Sequence, residues 1–510
     1  MVCLYWYYCH VIDLNKKLGQ MFFVGFEGYT LTKEIRNSLQ TIQPGGIVFF
    51  ECNIKDKKQV KKLINDINAS LEIKPFITVD QEGGSVERLR NICTSLPSVW
   101  GLSKIGLKEL LEAQKIIAEE LLELGFNMVL APVLDINSNS ANPIIGSRSI
   151  SNNPKVVSEY GSEVIKLFLK HKIIPVAKHF PGHGDLELDS HLALPVLSKN
   201  KTQLNTFELV PFKKAIQIKA PVIMVGHIQL PLIEKNKLKP ASLSKAVLSD
   251  LLRKELGFKG LIITDELNMK GVTKNFTLQN ASLEAMKAGA DLVLFNWDFK
   301  STFKTYKVIL GKIQKDKNLQ ERIEESYKRI ITTKKKYLVR MGFLPTSISK
   351  NRLLSYNLAN KVVHWIKRDL FFKPLSSKES IEIIYPKTHR LRREDLEKIC
   401  DELALKKVHL YEYDINPPTK SISKLAKKTV RANQRVCPMV RRILITYDMA
   451  VRKNQRKLLN VLLNLNPNLI VISVGLEYDI EIAPKIKNFI AAYAPNYISL
   501  KSAFKKIFNL

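Results

Sequence analysis

The sequence has few cysteines, and their positions exclude the common structural roles of this residue. Six cysteines occur among 510 residues, and none lies in a Cys-x-x-Cys pair or another closely paired spacing. This distribution predicts neither a disulfide framework nor a structural zinc site. It favours a protein of a reducing compartment.

Long apolar runs are also missing. No stretch approaches the roughly 20 apolar residues that a membrane-spanning helix needs. The first ten residues are apolar but short, and they lack the positive charge and the small-residue cleavage site of a secretory signal. We therefore expect a cytoplasmic protein without a membrane span, or an exported one if the sequence begins at a misplaced start.

Acidic residues are scarce as well. The chain has 48 Asp and Glu against 80 Lys and Arg, for a net charge of +32, and the excess is denser in the C-terminal third. Such a charge can attract a polyanion. The lysines are scattered over helical faces, however, and no zinc-finger, basic-zipper or RNA-recognition motif occurs. We expect no specific nucleic-acid partner and interpret the charge as the bias of a lysine-rich proteome.

Eight short β-rich apolar runs alternate with stretches of helical spacing in the first two thirds of the chain. Buried strands that alternate with amphipathic helices predict a parallel sheet covered by helices, and eight of them predict a closed (β/α)8 barrel. The predicted strands are residues 21–26, 45–50, 76–80, 128–135, 173–178, 222–227, 261–265 and 291–296.

The rest of the chain predicts a smaller α/β domain with an open parallel sheet. Its predicted strands are residues 381–385, 407–413, 442–447 and 469–474. No glycine-rich phosphate loop follows them, so we expect no nucleotide and no other cofactor. The chain is thus divided into an N-terminal extension, 1–13, a barrel, 14–344, and a C-terminal domain, 345–510.

Polar residues end most of the predicted barrel strands, where barrels of this kind build their active sites. These strand-end residues are Asp80, Asp135, Lys178 with His179, His227, Asp265 and Asn296. Two arginines in nearby glycine-containing loops, Arg88 and Arg148, could reach the same cavity. Asp80 can accept hydrogen bonds from sugar hydroxyls, while Arg88 binds an adjacent hydroxyl or Asp80 itself.

Asp265 and the loop after the fifth strand carry groups suited to glycoside cleavage. A carboxylate at the barrel mouth can attack a sugar carbon. A retaining glycosidase also needs a group about 5 Å away that gives and later takes a proton. His191 can do both near neutral pH, and Asp189 can bond the other nitrogen of its ring.

These residues resemble the motifs of a known family. Asp80-Gln-Glu-Gly-Gly with Arg88, Gly-Ser-Arg148-Ser, Lys178-His-Phe-Pro-Gly-His-Gly followed by Asp189-Ser-His191, and Thr264-Asp265-Glu-Leu-Asn-Met are similar to motifs of family 3 glycoside hydrolases of the bacterial β-N-acetylglucosaminidase (NagZ) type. The resemblance covers about residues 14–344. It implies that Asp265 is the nucleophile, His191 the proton donor and acceptor, and Asp189 its partner. The residues that it implies hold the sugar are Asp80, Arg88, Arg148, Lys178 and His179.

The resemblance implies an exo-hydrolase that removes terminal β-linked N-acetylglucosamine from peptidoglycan-derived muropeptides or chitooligosaccharides. The sequence does not determine the oligomeric state, and we favour a monomer. β-Glucosidases of the superfamily take their acid/base from the second domain, whereas an Asp-Ser-His loop on the barrel marks the acetylglucosaminidases. A β-glucosidase remains an alternative. So does a phosphorylase, because a neutral histidine does not repel phosphate. The second domain is similar to that of two-domain members, which are often exported.

Two other classes of function stay open. A metal-dependent hydrolase could draw on His179, His183, His191, Asp189 and Asp265, which are all of metal-ligand type. We expect no metal, since no His-x-His pair lies on an early strand. A non-catalytic protein that binds polyanions would show salt-dependent binding and no turnover.

Overall fold

A computed structural model describes residues 13–188, 193–338, 347–388, 390–436 and 440–510. Within these ranges the first domain contains ten strands: β1 (Phe22–Val24), β2 (Gly46–Phe49), β3 (Phe76–Val79), β4 (Gln81–Gly83), β5 (Val86–Glu87), β6 (Met128–Val129), β7 (Ile174–Phe180), β8 (Val222–Val225), β9 (Leu261–Glu266) and β10 (Leu292–Leu294). Strands β4 and β5 form a small antiparallel hairpin, and the other eight form one sheet.

The eight-stranded sheet is a nearly closed parallel barrel. Its strand order is β3-β2-β1-β10-β9-β8-β7-β6, and every neighbouring pair is parallel. The two end strands approach each other through Asn127 N, which donates to Ile77 O at 3.1 Å, and Leu130 N, which donates to Val79 O at 3.2 Å. The predicted (β/α)8 barrel is confirmed.

Amphipathic helices cover the barrel. They are α1 (Leu14–Gln20), α2 (Lys33–Ile42), α3 (Lys57–Ser70), α4 (Val99–Ile105), α5 (Leu107–Leu124), α6 (Pro154–Lys170), α7 (Lys201–Thr206), α8 (Val210–Gln217), α9 (Lys270–Thr273), α10 (Leu278–Ala288), α11 (Phe299–Ile313) and α12 (Lys317–Tyr337), with a π-helical segment at Ala246–Glu255. Several of these helices are preceded by a residue whose side chain accepts a hydrogen bond from a main-chain N–H group of the first turn. In α3, Asp56 Oδ1 accepts from Gln59 N at 2.8 Å. Among the described helices none is long and apolar enough to cross a membrane.

The second domain is a six-stranded sheet with helices on both faces. Its strands are β11 (His364–Lys367), β12 (Ser380–Lys387), β13 (Lys407–Asp414), β14 (Arg441–Thr446), β15 (Ile470–Ser473) and β16 (Asn488–Ala491), in the order β11-β16-β15-β14-β12-β13. Its helices are α13 (Ile348–Val362), α14 (Arg393–Glu402), α15 (Thr419–Val436), α16 (Lys453–Leu465), α17 (Asp479–Ile482) and α18 (Tyr497–Phe508).

The predicted second α/β domain is confirmed, but the prediction of a wholly parallel sheet is wrong at one edge. Strand β11 pairs with β16 in the antiparallel sense. Neither strand was predicted. Most of β11 is exposed, so it lacks the continuous apolar run that marks a buried strand.

Helix α13 ties the second domain to the barrel. Leu358 and Val362 of this helix belong to the same buried apolar cluster as the barrel strands. Asn351 Nδ2 also donates to Glu120 Oε1 of α5 at 3.0 Å. The predicted boundary after residue 344 lies outside the described residues, so the division of the chain stays a prediction.

Candidate active site

A cavity of about 580 Å³ opens at the carboxyl ends of the barrel strands, a size common among small-molecule sites. Six of the eight residues predicted for the site line it: Asp80, Arg88, Arg148, Lys178, His179 and Asp265. The structure therefore brings together side chains from four regions of the sequence. The other two predicted residues, Asp189 and His191, lie outside the described residues.

A buried network of charges forms one wall of the cavity. Lys178 Nζ binds Asp80 Oδ1 at 2.8 Å and Glu82 Oε1 at 2.6 Å. Arg148 binds Glu82 with two nitrogens, Nε at 2.9 Å from Oε2 and Nη2 at 2.8 Å from Oε1. Burial would raise the pKa of Glu82, but the charges of Arg148 and Lys178 hold it far below its usual range. Glu82 is therefore ionised, and it fixes the positions of Arg148 and Lys178.

The pKa of Lys178 is likewise set by its partners. Burial would lower it, but the charges of Asp80 and Glu82 raise it above its ordinary value. The ammonium group thus stays charged at the base of the cavity. Because Glu82 is fully buried and Asp80 is partly exposed, Asp80 is the member of the network that is open to a ligand.

His179 and His183 are organised by the buried Asp135. Asp135 Oδ2 lies 2.6 Å from His179 Nδ1, and Asp135 Oδ1 accepts from His183 N at 2.6 Å. Burial would raise the pKa of Asp135, but His179 and His183 lower it. An ionised carboxylate can only accept, so Nδ1 of His179 carries the proton. Burial lowers the pKa of His183 to about 4, which leaves its imidazole neutral at neutral pH.

Lys178 and His179 both line the cavity although they are consecutive residues of β7. Consecutive side chains of a regular strand point to opposite faces. Here the pairing of β7 with β8 shifts register between Ala177 and Phe180. Such an irregularity can turn a side chain toward an active site, and it lets one strand supply two functional groups.

Asp265 lies near the carboxyl end of β9 and is partly exposed to the cavity. One of its oxygens accepts from Glu266 N at 2.8 Å. The strand end is held by the buried His227, whose Nε2 lies 2.8 Å from Glu266 O and whose Nδ1 lies 2.7 Å from Ser242 Oγ. His227 therefore supports β9, whereas Asp265 presents its carboxylate to the cavity.

Arg88 lines the cavity, but its ion pair differs from the predicted one. Its Nη1 lies 3.7 Å from Glu51 Oε1, whereas the carboxylate of Asp80 binds Lys178. The predicted contact of Arg88 with Asp80 involves the main chain alone, as Arg88 N donates to Asp80 O at 3.4 Å.

The site also contains residues that were not predicted from the sequence, among them Glu82, Trp297 and Arg390. Glu82 lies two positions after the predicted Asp80, and its place in the Asp-Gln-Glu-Gly-Gly motif was an available signal. Trp297 directly follows a predicted strand, is half exposed, and meets Phe50 edge to face with ring centroids 5.0 Å apart. Arg390 comes from the second domain and lines the cavity, and no local pattern marks it.

Within the described part of the chain, no three His, Cys, Asp or Glu side chains are grouped so that they could hold a metal ion.

Residues 13–333 match the family model described as glycosyl hydrolase family 3 N terminal domain. The chain is 30% identical over 388 residues to Beta-hexosaminidase A of Pseudoalteromonas piscicida. The matched region covers 70% of this chain and 65% of that protein, so this chain spans just under two thirds of that relative's length. It is 32% identical over 274 residues to Beta-hexosaminidase of Nitrosomonas eutropha, with 52% of this chain and 78% of that protein covered.

Solved structures resemble this chain over a greater share of its length than the relatives found by sequence do. A glycoside hydrolase family 3 beta-N-acetylglucosaminidase from Paenibacillus sp. str. FPU-7 superposes with a TM-score of 0.85 at 28% identity and covers 98% of this chain and 97% of that one. The beta-glucoside phosphorylase BglX bound to 2FGlc gives a TM-score of 0.76 at 20% identity, with 98% and 92% covered. The latter likeness shows the fold alone.

Proposed function

Since the chain belongs to glycosyl hydrolase family 3, we propose that it is a retaining exo-β-N-acetylglucosaminidase that releases terminal β-linked N-acetylglucosamine. The family that the motifs predicted is confirmed, and with it the class of glycoside hydrolases. The specificity is supported by relatives named beta-hexosaminidase and by the similar fold of a beta-N-acetylglucosaminidase.

The position of Asp265 carries the proposal. Its carboxylate lines the same cavity as the charged wall formed by Asp80, Lys178 and Arg148. Carboxylate and ammonium groups at such a wall can bind the hydroxyls of one sugar ring. A ring held there would have its anomeric carbon within reach of Asp265, which is the arrangement that nucleophilic catalysis needs.

The proposed reaction has two displacement steps. In the first, an oxygen of Asp265 forms a bond to the anomeric carbon while the bond to the leaving oxygen breaks and His191 gives that oxygen a proton. In the second, His191 takes a proton from water, whose oxygen attacks the anomeric carbon and releases Asp265. Two inversions give net retention. The roles of His191 and Asp189 rest on the sequence, because both lie outside the described residues.

The natural substrate is a further part of the proposal. We infer a peptidoglycan-derived fragment or a chitooligosaccharide, both of which end in N-acetylglucosamine. The monomeric state and the cytoplasmic location stay predictions.

Trapping the intermediate tests the nucleophile. A fluorinated N-acetylglucosaminyl substrate should leave a glycosyl adduct on Asp265, found by mass spectrometry of peptides. Asp265→Ala should form no adduct and lose turnover while the fold is retained, because no apolar group leaves the core. Glu266→Gln, which alters the adjacent carboxylate, should still form the adduct. An adduct mapped to Glu266, or no adduct with substrate-assisted kinetics, would contradict the assignment.

Product analysis separates the alternatives. With phosphate present, a hydrolase should still release free N-acetylglucosamine, whereas a phosphorylase would release the sugar 1-phosphate. An aryl β-glucoside assayed beside the aryl β-N-acetylglucosaminide distinguishes a β-glucosidase.

A further inference from the structure

Strand β13 is an edge strand of the sheet in the second domain. It is eight residues long and pairs with β12 without a register shift, from Lys407 beside Ser380 to Asp414 beside Lys387. Among the described residues, no strand pairs with its other side. The main-chain N–H and C=O groups on that side can therefore pair with another extended segment.

The opposite edge of the same sheet is less suited to pairing. Strand β11 is four residues long, and its register with β16 shifts between Trp365 and Lys367. Short and irregular edge strands hinder pairing between molecules. Strand β13 has neither feature, so it is the edge to which a further strand would add.

A cavity of about 460 Å³ lies at the margin of the sheet beside β13. Five consecutive residues of the strand, 410–414, line it together with side chains of α15 that include Ile422 and Leu425. Consecutive residues of a strand point to opposite faces, so a cavity lined by all five lies beside the strand and not over one face. The described residues thus leave room next to β13.

The side chains of β13 divide between two apolar clusters. Val408 and Leu410 pack against the cluster that contains Ile399 of α14. Tyr411 and Tyr413 pack in the cluster on the other face, which α15 and α16 complete. The even-numbered positions of the strand therefore share the face covered by α14, and the odd-numbered positions share the opposite face.

The even-numbered face carries a charge pattern that is complementary to itself. Its side chains are, in order, Lys406, Val408, Leu410 and Glu412. Lys406 and Glu412 are both exposed, and neither forms an ion pair with another described residue. If a copy of the strand runs antiparallel beside it, the lysine at one end meets the glutamate at the other, and the two apolar residues meet between them.

Symmetry restricts which residues would meet. A twofold axis perpendicular to the sheet places a copy of β13 antiparallel to the original and keeps every side chain on its own face. In the register centred on His409, Lys406 lies opposite Glu412 of the copy. Val408 then lies opposite Leu410. Pairs of opposite charge and pairs of apolar side chains both stabilise a sheet, whereas a register centred on Leu410 would place Val408 opposite Glu412.

We propose that β13 is a self-association surface, through which two copies of this chain pair antiparallel about His409 and join their sheets into one. The interface is isologous, so each favourable pair occurs twice. Two edge strands bury little surface, and we therefore expect a weak dimer that forms as the protein concentration rises. The monomer favoured from the sequence is then the form at low concentration. The inference does not depend on the proposed enzymatic activity.

Charge reversal tests the pairing. Sedimentation velocity of the full-length protein over a micromolar concentration series should show a reversible monomer–dimer equilibrium. Lys406→Glu places like charges opposite each other twice and should raise the Kd of the dimer by roughly tenfold or more, and Glu412→Lys should do the same. The double variant restores opposite charges in reversed order, so its Kd should return to within about threefold of the unmodified value.

Lys485→Glu is the control for the charge change. Lys485 is an exposed lysine of the same domain that lies outside β13, and its reversal alters the net charge by the same amount. The Kd of this variant should stay close to that of the unmodified protein.

A cysteine at the proposed axis tests the register. In an antiparallel pair the Cα atoms of directly opposite residues are about 4.5–5.5 Å apart, within the range that a disulfide spans. Mild oxidation of His409→Cys should therefore give a covalent dimer on a non-reducing gel. Lys407→Cys is the matched control, because Lys407 is exposed on the same face but would lie about 13 Å from its copy. It should give no more dimer than the unmodified protein.

Several results would overturn the proposal. One is a protein that stays monomeric throughout the concentration series. Another is a dimer whose Kd is the same in Lys406→Glu as in Lys485→Glu, which would place the contact on a different surface. Equal cross-linking of the two cysteine variants would reject the register centred on His409. The substituted residues are all exposed, and circular dichroism checks that each variant is folded.

Discussion

Glu82 shows how one buried residue can set the geometry of a site without facing the ligand. It binds Lys178 and two nitrogens, Nε and Nη2, of the Arg148 guanidinium group, and it is almost completely inaccessible to solvent. The cations that we propose to hold the sugar thus depend on one carboxylate for their positions. Its loss should affect substrate binding and folding together.

Glu82→Gln tests this role. The substitution leaves two buried cations with a neutral partner, and removing one partner of a buried ion pair costs about 3–5 kcal/mol. We expect a clear fall in the free energy of unfolding, measured by denaturant titration, and a lower kcat/KM on the aryl β-N-acetylglucosaminide. Glu27→Gln, an exposed position on the lining of the same cavity, should alter stability by less than about 0.5 kcal/mol. Equal effects of the two variants would contradict this role.

The proposed role of His191 can be tested by varying the leaving group. If His191 protonates the departing oxygen, His191→Ala should slow cleavage of a natural sugar leaving group by about 10²–10⁴-fold. A dinitrophenyl leaving group needs no proton, so its first step should be nearly unaffected. The glycosyl-enzyme should then accumulate, and azide, which needs no base, should restore turnover. Asp189→Ala should show a milder form of the same pattern.

Equal losses for both leaving groups, without rescue by azide, would assign His191 a binding or structural role. The proton donor would then have to be sought among the other ionisable residues of the same loop, Asp185, Glu187 and His183.

At the scale of elements, helix α13 unites the two domains. It belongs to the second domain by sequence, yet Leu358 and Val362 are buried in the apolar cluster of the barrel. Asn496, just before α18, adds a polar link, because its Nδ2 donates to Leu96 O at 2.7 Å. The barrel and the second domain should therefore lose stability together when this helix is weakened.

Leu358→Ala tests that coupling. Truncating a fully buried leucine costs about 2–5 kcal/mol, and we expect this loss in the unfolding of the whole chain. Leu353→Ala on the same helix removes the same atoms from a side chain that is 62% exposed, so its effect should be small. Thermal unfolding followed by calorimetry and circular dichroism compares the two. A second domain that melts alone in Leu358→Ala, with the barrel unchanged, would refute the coupling.

At the scale of the whole molecule, the net charge of +32 should influence substrates according to their own charge. A positive field raises the local concentration of anions and is screened by salt, with a screening length of about 10 Å at 0.1 M. The kcat/KM for an anionic muropeptide should therefore fall as sodium chloride rises from about 0.05 to 0.5 M. The value for a neutral aryl glycoside should change little. Identical salt dependence for both substrates would exclude an electrostatic contribution.

The sequence by itself determined the number and order of the barrel strands. The eight apolar runs match the eight barrel strands, because a strand that is buried on both faces has apolar side chains at consecutive positions of the sequence. The barrel form then places the strand ends on one rim. Asp80, Lys178, His179 and Asp265 could be assigned to one cavity for this reason, and the structure brings them together there.

The tertiary structure alone decided the pairings across the chain. Glu82 meets Arg148 and Lys178, residues that lie 66 or more positions away, and Arg390 reaches the cavity from another domain. The antiparallel edge strand β11 depends on β16, far along the chain. Such contacts leave no local periodicity, since they arise from how segments pack and which buried charges must be paired. The physical reason is separation along the chain. The local pattern of residues determines each helix or strand, whereas the packing of distant segments determines which residues contact one another.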